Sequence, residues 1–373
     1  MAALKFDTLE VLCNELSDQI QALRIVDKDG GLHARRKATN TARTLLNELI
    51  HTEEAAAEQV VILSEWACLR MFMKWKFFDK IPLEGGISYQ ELAASIGAEE
   101  ALVSRMGQML VSTDMLLQPE PGHVRHSRLS PTYKTGDRNG SGFAMMHDDF
   151  QTVFTKLPGF FDKYGPNLPV GKTNVPMTFA SGADGKLDPW GVLAQQGTEH
   201  IEQFGLAMQG MTEYLWPYTG AYDFTWVGEY AATNPGRTLI IDVGGSFGHA
   251  LRANLVKFPD IPPSRCAVED LEEMIPSIRE AHADDAIMKD ILADSLPEDE
   301  PRSRILINDQ IMTNPPDRWV AALDVLMMTC ASLERSAQQF ERLASRAGLV
   351  VVKIHQAEGA TMGVVECKKA PPS

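Results

Sequence analysis

Long apolar runs, blocks of basic charge and paired cysteines are all missing from this 373-residue sequence. No stretch reaches the ~18 consecutive apolar residues that a bilayer-spanning helix needs, so no membrane partner is expected. The start, MAALKFDTLEVLCNELSDQI, has neither a basic leader nor an uninterrupted apolar core, so a cytoplasmic location is expected rather than secretion. Five cysteines (Cys13, Cys68, Cys266, Cys330 and Cys367) show no CxxC spacing, which argues against a zinc site or a disulfide framework and leaves free thiols. With 35 basic against 50 acidic residues the net charge is −15. Phosphate backbones would be repelled unless one face were strongly basic, and nucleic acid is not an expected partner. No Ser-His-Asp order, metal-ligand spacing or phosphate loop stands out, so no metal is expected.

What is present reads as two textures. Residues 1–78 repeat apolar positions at helical spacing with few breakers. Residues 79–135 give two short helical patterns, a β-like run around Met115 and a glycine-containing turn, the order of a winged helix. That motif serves DNA binding or dimer formation, and the acidic balance favours the latter. Residues 136–236 are rich in Met, Phe, Trp and Tyr, which suits either an ordinary core or a roomy apolar pocket. From 237 to 373, short apolar strands alternate with amphipathic helices, the pattern of an α/β domain with a parallel sheet.

One turn carries chemistry. In LIIDVGGSFGHAL a strand over 239–243 runs into Gly244, Gly245 and Gly248, and a helix begins near His249. Glycines there allow positive φ and close approach of a ligand to the backbone, while the helix start offers free N–H groups. A second strand, RCAVEDL, ends in Glu269 and Asp270 about 25 residues on, where a carboxylate can accept hydrogen bonds from ribose hydroxyls. Asp242 stands two residues before the first glycine, unlike a phosphate-binding GxGxxG. Together these features favour an adenosine-containing ligand.

The segments DVGGSFGHAL, FPDIPPSRCAVEDLEEMI, RILINDQIM, the run from DVLMMTC to VVVKIH, and GVVECKKA follow one another in this order. In that order the chain resembles the fungal secondary-metabolite O-methyltransferases, class I S-adenosylmethionine-dependent relatives of caffeate-type enzymes. The resemblance implies an α/β chain with an N-terminal all-helical and winged-helix dimerisation domain and a C-terminal Rossmann-like methyltransferase domain. It implies a homodimer, bound S-adenosylmethionine and a flat, apolar, hydroxylated small-molecule substrate. Asp242, Gly244, Gly245, Gly248, Glu269 and Asp270 would hold the cofactor. Phe204, Met208, Met211, Trp216 and Tyr222 would line the substrate pocket.

The resemblance also exposes a gap. The family places two strands and a His-Asp pair between its VEDL and LIND strands, and that histidine is the general base. Here only the 33 residues 272–304 intervene. They fit two helices, roughly 272–281 and 286–296, but not two more strands with crossovers. The parallel sheet should be shortened, with 239–243 either pairing directly with 304–308 or leaving backbone groups unsatisfied. His282 lacks the following Asp and reads as a surface histidine. Asp309 and Glu334 match acids that flank the family's base. His147, with Asp148 and Asp149 beside it, is a replacement candidate or a structural histidine. Three functions remain open: O-methyl transfer, a non-methylating cyclase or pericyclase that holds the cofactor as a charge, and a non-catalytic truncated dimer.

Overall fold

Ser88 starts a helix in the N-terminal half by capping: its Oγ accepts the Glu91 N–H at 3.1 Å, and the Glu91 carboxylate accepts the Ser88 N–H at 3.0 Å. The computed structural model describes residues 5–25, 28–214, 222–245, 247–270, 287, 303–357 and 360–370. The chain divides into two compact units, 1–211 and 212–373, and the boundary between them cuts through the segment 136–236.

In the first unit, α1 (Phe6–Ala22), α2 (Lys28–Leu49) and α3 (Thr52–Lys74) are long helices, followed by the short α4 (Phe77–Lys80). Then come β1 (Ile87–Ser88), α5 (Tyr89–Ala94), α6 (Glu100–Ser112), β2 (Leu116–Leu117) and β3 (His123–His126). β3 lies antiparallel between β1 and β2. The core joins Phe72, Phe77 and Phe78 to Tyr89, Leu92, Leu110 and Val124, so the end of α3 and the small sheet share one apolar centre. Gly107 makes this possible, because a Cβ there would meet the Tyr89 ring at 2.1 Å. α7 (Arg138–Met145) runs through one π-turn, Met146–Phe150, into α8 (Gln151–Tyr164). α9 (Pro176–Ser181), α10 (Pro189–Ala194) and α11 (Thr198–Tyr214) follow.

The second unit contains α12 (Thr225–Thr233), β4 (Ile240–Val243), α13 (His249–Lys257) and β5 (Cys266–Glu269). After them come β6 (Ile305–Met312), α14 (Arg318–Met328), β7 (Arg335–Ser336), α15 (Ala337–Arg346), β8 (Leu349–His355) and β9 (Met362–Lys369). β4 and β5 form a parallel pair, while the other strands form a mixed sheet in the order β7-β6-β9-β8. The direct pairing of β4 with β6 does not occur among the described residues. β6 instead pairs with β9 along its length and with β7 over Ile311 and Met312.

Side chains, rather than a ladder, join the two sheets. One face of the mixed sheet packs Ile307, Ile311, Val365 and Cys367 against Phe340 and Ala344 of α15. From the other face Leu306 and Val364 enter a cluster with Tyr222, Phe224, Leu251, Cys266 and Val268. Coverage is incomplete: Val243 is 73% and Ile305 50% exposed, unusual for apolar strand positions next to a core. The expected helices at 272–281 and 286–296, and His282, lie outside the described residues apart from Ile287, which packs on that cluster. No described helix is long and apolar enough to cross a membrane.

Candidate functional site

The turn after β4 is built by its backbone. The Gly244 N–H donates to the Glu269 carbonyl at 2.7 Å, tying it to the end of β5, and the Gly248 N–H closes the loop on the Gly245 carbonyl at 2.8 Å. Gly244 (φ 69°) and Gly248 (φ 66°) occupy the left-handed region that glycine alone enters without strain. Gly245 is needed for space: a Cβ there would stand 2.6 Å from the Asp242 carboxyl carbon and 2.7 Å from its Oδ2. That Oδ2 is buried without a hydrogen-bond partner. Burial pushes the Asp242 carboxyl above its ordinary value; the Leu251 N–H pulls it down and the nearby Asp270 carboxylate pushes it up again. An unpartnered buried carboxylate oxygen beneath a glycine turn is a site for a hydrogen-bond donor or a cation. Asp242, Gly244, Gly245, Gly248, Glu269 and Asp270 therefore come together at one edge.

A second group collects around Asp309 of β6. Asp309 and Glu334 interact: burial first, then the carboxylates of Asp309 and Asp324, raise Glu334 to about 7, and Arg335 opposes them. The Glu334 N–H donates to Asp324 Oδ1 at 2.8 Å, while its own Oε2 is buried and unpartnered. Burial also raises Asp309, against the Gln310 N–H and Arg335. These acids need no imidazole between them to be perturbed.

His147 belongs to the first unit, on the π-turn. Its Nδ1 lies 2.9 Å from Asp148 Oδ1, and Asp148 in turn accepts Nε and Nη2 of Arg70 at 2.9 and 2.6 Å. Burial raises Asp148, but the hydrogen bonds from Arg70 and His147 outweigh it and hold the carboxyl below its usual range. An open cleft of about 400 Å³ beside His147 is lined by Gln151, Thr152 and Thr155. Asp309 and Glu334 stand in the other unit.

The expected substrate-lining residues divide likewise. Phe204 and Met208 lie on α11 in the first unit, where Phe204 meets Trp190 edge-on at 6.0 Å and Met208 is exposed. Tyr222 is buried in the second unit, its hydroxyl accepting the Trp226 Nε1–H at 3.2 Å. The Met211 side chain and Trp216 lie outside the described residues. No motif marks His355, which meets Tyr222 edge-on at 4.8 Å and pairs with Glu366 at 2.8 Å. The two are 11 residues apart with no motif between them, so only strand pairing reveals the contact.

Comparison with known proteins adds the following. No family model matches. The methyltransferase cfoD of Aspergillus candidus is 39% identical over 97% of this chain and 99% of its own length. That alignment runs over 403 positions, more than the 373 residues here, so the relative carries segments that face gaps in this chain. The methyltransferase pvhD of Talaromyces variabilis is 28% identical over 81% of this chain and 92% of its own. Among solved structures, OxaC in complex with SAH and oxaline superposes with a TM-score of 0.81 at 19% identity, covering 98% of this chain and 100% of that one. LepI in complex with SAM gives 0.79 at 18% identity, with the same coverage. At such identities these superpositions speak to the fold.

Proposed function

Because the chain belongs to the fungal methyltransferase family that includes cfoD, we propose that it binds S-adenosylmethionine at the β4 turn and methylates a hydroxyl of an apolar, aromatic or polyketide-derived metabolite. The observation that carries this reading is the Gly245 cradle over the buried, unpartnered Asp242 Oδ2. These residues fit the cofactor: Asp242 would accept from its methionine part, Asp270 or Glu269 from its ribose, and the glycines would let it lie against the backbone. When bound, the cofactor supplies an electrophilic methyl group on a sulfonium.

The chain's own part is to deprotonate and orient. Glu334, raised to about 7, can accept a hydroxyl proton near neutral pH, a task that an ordinary carboxylate performs poorly. Its unpartnered Oε2 would receive that proton, and Asp309 and Asp324 would keep its affinity for it high. His147, engaged with Asp148 in the first unit, is not needed as the base in this reading. A homodimer, as the family resemblance implies, would complete the assembly.

A second reading is favoured by the interval 272–304, which lacks the His-Asp pair of the resembling family. In it the chain holds the sulfonium intact as a fixed charge for a dehydration or ring closure. The test is calorimetric titration with S-adenosylmethionine and S-adenosylhomocysteine, followed by mass analysis of products from aromatic and polyketide candidates. Micromolar binding, lost in Gly245→Asp, is expected, with a product heavier by one methyl group. An unshifted product mass with intact cofactor would favour ring closure. Wild-type affinity in Gly245→Asp would remove the site assignment, and no binding by the wild type would leave a non-catalytic dimer.

A further inference from the structure

A cleft of about 910 Å³ opens in the second unit between α12 and the mixed sheet. Its size is within the ~300–1,000 Å³ of small-molecule sites. The α12 wall is aromatic: Tyr222, Trp226 and Tyr230 recur at intervals of four, one face of the helix and the turn before it. The sheet wall is charged. Glu366 pairs in register with Leu306 of β6 and Lys353 of β8. Its Oε2 lies 2.8 Å from His355 Nε2, and its Oε1 accepts Arg304 Nε at 3.0 Å. Both oxygens of this carboxylate are thus engaged, and the imidazole and guanidinium around it are held in place. Lys353 makes no ion pair among the described residues, although it lines the same cleft.

The cleft is separate from both acidic groups described above. Side chains alternate along a strand, so Glu366 and its partner Leu306 share one face of the sheet, whereas Asp309, three positions along β6, points to the other. Arg304 precedes β6, so the cleft sits on that strand's N-terminal half, and Asp309 on its C-terminal half. Two further acids stand on the helix rim. Asp223 is engaged with the Thr225 N–H at 2.9 Å and its hydroxyl at 2.6 Å, and Glu229 is exposed. The remaining charge available on the sheet wall is the Lys353 ammonium.

We infer that this cleft is a second ligand site, taking a planar aromatic acid whose ring lies on Trp226 and Tyr230 and whose carboxylate or phenolate meets Lys353. It does not depend on the cofactor reading. The probe is 2-naphthoate, titrated calorimetrically into the full chain. Saturable one-site binding is expected, weakened at least tenfold in Lys353→Glu, an exposed position, and severalfold in Trp226→Ala; the neutral 2-naphthamide should bind at least tenfold more weakly. No saturable binding at millimolar probe, equal affinity in Lys353→Glu, or equal affinity for the amide would each overturn the site. S-adenosylhomocysteine, titrated into Lys353→Glu, should keep its wild-type affinity. Gly245→Asp should keep naphthoate binding, and its loss there would mean that the probe occupies the β4 turn.

Discussion

At Glu334, burial and two neighbouring carboxylates act in one direction. The sign of the consequence follows from linkage: a carboxyl raised in the folded state binds its proton more tightly there than in the unfolded chain. Stability is therefore lost as pH rises from the ordinary 4.5 to about 7. Glu334→Gln should remove that loss, raising stability at pH 8 by about 1–2 kcal/mol, after discounting for solvent at this half-buried position, and changing little at pH 4. Thermal midpoints at the two pH values check this; equal shifts at both would mean that Glu334 is not perturbed. If Glu334 is also the base, the same variant loses turnover. Asp309 and Glu334 were legible in the sequence because each stands in a motif, but the raised proton affinity of Glu334 was not, since Asp324 reaches it only through the turn after α14.

Among the elements, β4 is approached through a loop that one arginine holds. Arg265, just before β5, donates to the carbonyls of Arg237 at 2.6 Å, Ala231 at 3.0 Å and Asn234 at 2.6 Å. One guanidinium thereby satisfies the end of α12 and the loop that leads into β4, carbonyls that a helix end leaves without partners. Arg265→Ala should cost about 2–4 kcal/mol in urea unfolding, and Arg265→Lys should recover little, because an ammonium lacks the planar fork. A cost under about 0.5 kcal/mol would show that β4 is held by packing alone. The strands over 240–243, 266–269 and 305–312 were readable from apolar runs ending in acids and glycines. Their pairing was not, because an apolar run specifies burial but not which strand lies beside it.

At the scale of the molecule, the three N-terminal helices expose apolar side chains that a monomer would ordinarily cover. Val11 is 63%, Val60 64% and Leu63 57% exposed. A homodimer that uses these helices would account for them. Sedimentation of the wild type should give twice the chain mass, and the double variant Val60→Glu, Leu63→Glu should sediment as a monomer. A monomeric wild type would overturn the proposal. The alternating strand and helix texture after residue 237, the glycine turn with its acids, and the resemblance over nearly the whole chain were all determined by the sequence, because periodicity and local turn chemistry act over a few residues. Only the tertiary structure decided that β4 and β6 meet through side chains rather than a ladder, that Gly245 leaves room for Asp242, and that His355, Glu366 and Arg304 converge under α12. Each of these depends on which distant strands pair and in what register, and long-range pairing leaves no local mark on the residues that it joins.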